Sequence, residues 1–122
     1  MTGARRKILI VEDEVISAMS LTELLQLWGH EVCDSVSSGE EAIQRAQDER
    51  PDMVLIDINI RGGMDGLQAA REIRRRLGIP IVIMTGYQDR DMRERARELE
   101  PAGYLVKPLD LDELKSIIDS TQ

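Results

Sequence analysis

The sequence predicts an α/β domain built on a doubly wound, five-stranded parallel sheet. Three observations carry that expectation. Short runs rich in Ile and Val alternate with longer segments of helical periodicity along the whole chain. Ile8-Leu9-Ile10-Val11, Met53-Val54-Leu55-Ile56 and Ile81-Val82-Ile83-Met84 are apolar at every position, as strands covered on both faces are. Four of the runs stop at a polar or charged group: Glu12-Asp13-Glu14, Asp57, Thr85-Gly86 and Lys107-Pro108. In a parallel sheet the carboxyl ends of the strands lie along one edge, and ligands bind there.

Each element follows in order. Lys7 to Val11 reads as the first strand. Glu14 to Trp28 carries Val15, Ile16, Met19, Leu21, Leu24, Leu25 and Trp28 at helical spacing, and Gly29 fits a helix stop. Glu31 to Val36 is a second, weaker strand. Ser37 or Ser38 caps a helix from about Gly39 to Asp48, with Ala42, Ile43 and Ala46 inward. Arg50-Pro51-Asp52 is a loop, and Met53 to Ile56 is the third strand. From Ile58 to Gly66 two adjacent glycines and a third nearby give the composition of a flexible turn region. Asp65 caps a helix to about Leu77, with Leu67, Ala70 and Ile73 inward and Gly78 and Pro80 closing it. Pro80 to Met84 is the fourth strand, and a helix of weak amphipathicity runs from about Gln88 to Leu99. Tyr104 to Val106 is the fifth strand. The last helix runs from Asp110 to Ser120, with Leu111, Leu114, Ile117 and Ile118 inward. Parallel strands joined in this way require right-handed crossovers.

A chain of 122 residues fits one domain over 1–122, with no room after the last helix for an output domain. That size buries a core without disulfides or a structural metal. The single cysteine, Cys33, has no internal partner and reads as a small core residue, which fits a reducing compartment. No run approaches the roughly 18 apolar residues that cross a bilayer. The basic N-terminus leads into an apolar run that acids interrupt after four residues, so no signal peptide is expected and the protein reads as cytoplasmic. A net charge of −7 argues against direct nucleic-acid binding, and the absence of Phe argues against a base-stacking platform. Arg71, Arg74, Arg75 and Arg76, and likewise Arg90, Arg93, Arg95 and Arg97, are interleaved with acids, the pattern of solvated helix faces. His30, in a turn after Gly29, reads as solvated.

Taken singly, the polar strand ends have ordinary explanations. Acids at Glu12 to Glu14 suit a helix dipole, and Thr85 is a common strand residue. Together, Glu12-Asp13, Asp57, Asp65-Gly66, Thr85-Gly86 and Lys107-Pro108 stand in the order and at the strand ends of a known family. From Lys7 to about Asp119 the chain resembles the response-regulator receiver domains (CheY-like) of two-component signalling. The resemblance implies a flavodoxin-like (βα)5 fold with strand order 2-1-3-4-5. It implies that Asp57 accepts a phosphoryl group from a phosphohistidine on a sensor histidine kinase or phosphotransfer protein, in a Mg²⁺-dependent step. Asp13, Asp57 and the backbone carbonyl of Asn59 would bind the ion, and Glu12 would act through a water. Lys107 would pair with Asp57 at rest and with a phosphoryl oxygen afterwards, Thr85 would donate its hydroxyl, and Tyr104 would be the switch aromatic. Lys107-Pro108 would carry a cis bond.

The same resemblance implies a switching surface over 88–120 that binds an unknown output protein. It is compatible with a homodimer through the last helix–strand–helix surface and calls for no membrane. Such a chain assists its own phosphorylation and dephosphorylation and is not a turnover enzyme. Two departures stand out. The acidic pair is Glu-Asp where many members have Asp-Asp, and the loop Arg61-Gly62-Gly63-Met64 lacks a common proline and is one residue longer. The resemblance implies that Asn59 and Tyr87 flank the path of an attacking water, and the Tyr87 ring is expected to slow loss of the phosphoryl group. An aspartyl phosphatase of the haloacid dehalogenase kind would need a second acid at Asn59 and a lid. A flavin or nucleotide module would need a Gly/Ser/Thr-rich loop where three acids stand. A scaffold signalling without phosphorylation would not need the complete residue set.

Overall fold

The computed structural model describes residues 5–60, 64–86 and 90–121. The expectations on Arg61, Gly62 and Gly63, on Tyr87 and on the helix start at Gln88 lie outside the described residues. Five strands, β1 (Lys7–Val11), β2 (Glu31–Val32), β3 (Met53–Asp57), β4 (Ile81–Thr85) and β5 (Gly103–Val106), form one parallel sheet in the order β2-β1-β3-β4-β5. Five helices connect and close them: α1 (Val15–Leu27), α2 (Gly39–Glu49), α3 (Gly66–Leu77), α4 (Arg90–Arg97) and α5 (Leu111–Ser120).

Strand pleating divides the core in two. Leu9, Val11, Val54, Ile56, Ile81 and Ile83 face α2, α3 and α4, meeting Ala42, Ala46, Leu67, Ala70, Ile73 and Ala96. Ile8, Ile10, Met53, Leu55, Val82 and Met84 face α1 and α5, meeting Leu21, Leu25, Leu114 and Ile118. This is why the central strands carry no polar alternation: both faces are covered.

Helix ends follow their sequence signals. Ser38 Oγ accepts the Glu41 N–H and starts α2. Asp65 and Gln68 form a reciprocal capping box at α3. Asp110 accepts the N–H groups of Asp112 and Glu113 at α5.

Four local expectations need correction. Val15, Ile16 and Met19 are 68%, 74% and 57% exposed, because the stripe of α1 that meets the sheet is Ala18-Leu21-Leu25, and the first turn lies past the end of β1. Leu111, at the matching first turn of α5, is likewise 47% exposed. The second strand is two residues long; the chain leaves the ladder after Val32 and returns only as an isolated bridge from Val36 to Val11. His30 is buried rather than solvated: its Nδ1 accepts the backbone N–H of Arg6 at 3.0 Å, so the turn folds the ring inward as an acceptor. Cys33 is buried, as expected.

Candidate functional site

Each polar strand end arrives at the same edge because parallel strands share a direction. Glu12 follows β1, and its N–H donates to Val36 O at 2.9 Å, which carries the sheet one residue further. Asp13 sits half-buried between Glu12 and α1. Asp57 is the last residue of β3, and Ile58 N–H donates to Met84 O just beyond it. Thr85 ends β4, fully buried, and its carbonyl accepts the Lys107 N–H at 2.8 Å. The Lys107–Pro108 peptide is cis.

The side chains then close on Asp57. Lys107 Nζ donates to Asp57 Oδ2 at 2.7 Å and lies 3.3 Å from both carboxylate oxygens of Glu12. The Asn59 N–H donates to Asp57 Oδ1 at 2.8 Å. The Asn59 side-chain amide donates to Thr85 Oγ1 at 3.3 Å.

Two buried carboxylates with one ammonium between them carry an excess of negative charge. Burial pushes the Glu12 carboxyl up to about 7, and the hydrogen bond and repulsion from Asp57 add to that while Lys107 opposes it. Burial would also raise Asp57, but the hydrogen bonds from Glu12, Lys107 and the Asn59 N–H outweigh it and hold Asp57 below the usual carboxylate range. Burial works against the Lys107 ammonium, yet its contacts with Asp57 and Glu12 raise it above the usual lysine value. Within the pair, Asp57 is the acid that ionises more readily and Glu12 the one that gives up its proton less readily.

Such a site suits a hard divalent cation. Its donors are all oxygens, and its surplus negative charge is what a cation would balance. Among the described residues no three His, Cys, Asp or Glu side chains form a ready-made cage. Mg²⁺ does not call for one: it takes one or two carboxylates and fills its shell with water, carbonyl and phosphate oxygens.

Two further features bear on the site. An ideal Cβ on Gly66 would lie 2.6 Å from the Asp57 carbonyl oxygen and 2.5 Å from Ile58 Cα. The sequence suggested a flexible turn here; in fact Gly66 is the buried first residue of α3, and glycine lets the helix start pack directly on the backbone of the phosphoacceptor candidate. Tyr104 packs against the α3–α4 side of the core with its hydroxyl buried and no partner among the described residues, and the Arg93 guanidinium lies 5.5 Å over its ring. Of the arginine stretches, Arg74 braces the Leu99 carbonyl, Arg76 pairs with Glu72 and Arg95 with Asp65, and most of the rest face solvent. The Lys107–Glu12 and Asn59–Thr85 contacts had no sequence signal, since 95 and 26 residues separate their members.

A buried acid at the tip of a middle strand, gripped by a lysine from the edge strand and flanked by an acidic pair and a threonine, on a 2-1-3-4-5 sheet, defines a receiver. The family model described as "Response regulator receiver domain" matches residues 8–119, and the chain belongs to that family, whose members relay phosphoryl groups in two-component signalling. The chain is 38% identical over 114 residues to the transcriptional regulatory protein PdtaR of Mycobacterium tuberculosis, covering 93% of this chain and 55% of that protein; it thus spans about half the length of that curated relative. It superposes with a TM-score of 0.91 and 36% identity on the signal receiver domain of a modulated diguanylate cyclase from Desulfovibrio desulfuricans, covering 97% of this chain and 94% of that one. The receiver domain of the sensor histidine kinase PA1611 from Pseudomonas aeruginosa, solved with a magnesium ion coordinated in its active site cleft, matches with a TM-score of 0.84 and 30% identity over 97% of this chain and 98% of that one.

Proposed function

We propose that Asp57 is the phosphoacceptor of a receiver acting over 1–122, phosphorylated from a phosphohistidine on a histidine kinase or phosphotransfer protein. The observation that carries this is the Lys107 ammonium held at 2.7 Å from Asp57 Oδ2. It keeps the carboxylate ionised and therefore nucleophilic. A carboxylate oxygen of Asp57 attacks phosphorus in line; the P–O bond of an acyl phosphate forms, the P–N bond breaks, and the histidine nitrogen leaves with the electron pair and takes a proton. Phosphoryl transfer asks the protein for placement and charge neutralisation more than for covalent chemistry.

Asp13, Asp57 and the carbonyl of Asn59 would hold Mg²⁺, with Glu12 reaching it through water. The bound ion would neutralise the phosphoryl oxygens and the crowded acids. Lys107 then exchanges part of its contact with Asp57 for a phosphoryl oxygen, and the Thr85 hydroxyl donates to another. The added charge biases the segment after Thr85, with Tyr104 following as the space beside it changes. The altered face over 88–120 binds an output protein, and a homodimer through α4, β5 and α5 is one arrangement it permits. The chain so described is a phosphoacceptor that assists its own phosphorylation and dephosphorylation rather than a turnover enzyme.

The test is incubation with acetyl phosphate and Mg²⁺ followed by intact-mass and peptide mass spectrometry. One phosphate should appear on Asp57 in the wild type and none on Asp57→Asn. A phosphate on another residue, or none on the wild type under conditions that load a known receiver, would refute the assignment.

A further inference from the structure

We infer that the groove between α2 and α3 is a docking surface for an acidic, amphipathic segment of a partner protein, with Arg71 and Arg75 receiving its carboxylates above a floor of Ile43 and Met64. Docking of this kind needs no phosphate on Asp57. Residues 71–76 carry four arginines and one acid, in a chain whose net charge is −7. Two of the four are committed within the molecule. Arg74 Nε donates to the Leu99 carbonyl at 3.2 Å, and Arg76 pairs with Glu72 at 2.9 Å. Arg71 and Arg75 have no hydrogen-bond or ion-pair partner among the described residues. They stand four residues apart on α3, the spacing at which like charges repel. The helix dipole accounts for cations in the last turn, where Arg74, Arg75 and Arg76 stand, but Arg71 lies a turn earlier.

Beside this pair the two helices leave a hollow of about 400 Å³. Ile43 from α2 and Met64 from the loop before α3 line it, both half-buried and packed on the core. Met64 is held from behind: a Cβ at Gly39 would lie 3.0 Å from its carbonyl oxygen and 3.1 Å from its own Cβ, so the first turn of α2 presses directly on it. Arg71 and Arg75 also line a second hollow, toward Leu99 and Glu100, and so form the ridge between two grooves. A guanidinium fork fits a carboxylate bidentately. A partner helix with acids four residues apart repeats the spacing of Arg71 and Arg75, and apolar residues on the same stripe reach Ile43 and Met64, the usual way an amphipathic helix fills a groove. A second copy of this chain docking by the same face would set arginine against arginine. Nucleic acid would meet a net charge of −7, and no aromatic ring lines the groove for a base to stack on. Charge and shape together therefore select an acidic protein segment.

The probe is a synthetic helical peptide of about 16 residues built from Ala, Leu and Glu, its glutamates four apart beside a leucine stripe. A twin peptide carries Lys for Glu, and a single-stranded RNA of equal negative charge is titrated in parallel. Binding is read from ¹H–¹⁵N spectra of the backbone amides and arginine Nε–H groups of the full, unphosphorylated chain. The acidic peptide should bind saturably and shift Arg71, Arg75, Ile43 and Met64, and the lysine twin should not bind. An exposed guanidinium–carboxylate pair is worth up to about fivefold in affinity, so Arg71→Glu with Arg75→Glu, which adds repulsion, should weaken binding about tenfold or more. Arg90→Glu with Arg97→Glu makes an equal change of charge on α4 and should cost less than about twofold, since charges beyond a Debye length are screened. If the first double variant does not fold, Arg71→Gln with Arg75→Gln replaces it and should weaken binding about threefold or more. No saturable binding, equal binding of the lysine twin, shifts that leave Ile43 and Met64 unmoved, or equal losses in the α4 variant would each overturn the docking surface. RNA bound as tightly as the acidic peptide would overturn the protein partner.

Discussion

Gly66→Ala separates two forces that usually act in opposite directions at a helix start. Alanine is the better helix former, and the exchange gains up to about 1 kcal/mol in a helix interior and less in the first turn. Against that, a Cβ at residue 66 would sit 2.5 Å from Ile58 Cα, 2.6 Å from the Asp57 carbonyl oxygen and 3.1 Å from Ile58 C. The first of these is about 0.9 Å short of ordinary contact, and all three partners are backbone, which no rotamer change relieves. Overpacking of this kind costs about 1–3 kcal/mol, so the net expectation is a loss of about 2 kcal/mol. In a domain of this size that lowers Tm by roughly 8 °C. Urea unfolding at fixed pH measures it, with Gly86→Ala as the control, because a Cβ there meets nothing within 4 Å. The control should stay within about 0.5 kcal/mol of wild type. The displaced Asp57 backbone should also slow phosphate uptake at least tenfold, since misplacement by about 1 Å can cost on the order of a hundredfold. If Gly66→Ala matches wild type in stability, the close approach of α3 to β3 is not what requires glycine here.

Two other expectations follow. Burial, with the nearby charge of Arg6 adding and Asp119 opposing, holds His30 below the ordinary histidine value, and protonation would also remove the acceptor that Nδ1 offers to Arg6 N–H. The unfolded chain then binds a proton below about pH 6.5 that the folded chain refuses, so this contribution to stability is complete above that pH and lost as pH falls. Urea midpoints at pH 7 and pH 5 should differ less in His30→Asn than in wild type; an identical difference removes His30 from the account. Mg²⁺ at ten times its dissociation constant should stabilise the wild type by about 1.4 kcal/mol, read as a concentration-dependent rise in Tm. The rise should vanish in Asp13→Asn, and its survival there would take Asp13 out of the ion site.

The sheet was legible because β1, β3 and β4 announce themselves. Ile8 to Val11, Met53 to Ile56 and Ile81 to Met84 are apolar at every position, and only a strand buried on both faces needs that. The caps at Ser38 and Asp65 were legible for a related reason: capping chemistry is local in sequence. The outward turn of Val15, Ile16 and Met19 was hidden because helical spacing shows that a stripe exists, not where the sheet beneath it ends. His30 misled because a residue after glycine resembles a solvated turn until the N-terminal strand arrives to donate to it. At the site, Asp57, Thr85 and Lys107 could be placed at one edge from topology alone. That Lys107 would reach Glu12 as well as Asp57, and that the Asn59 amide would turn toward Thr85, depend on side-chain geometry that no run of residues encodes.

The grip on Asp57 joins members 50 and 95 residues apart in the chain. No short peptide from this sequence can therefore reproduce it, and the cluster exists only where β1, β3 and β5 are assembled. On the phosphoacceptor role proposed for Asp57, competence and integrity coincide: a damaged molecule takes up no phosphate.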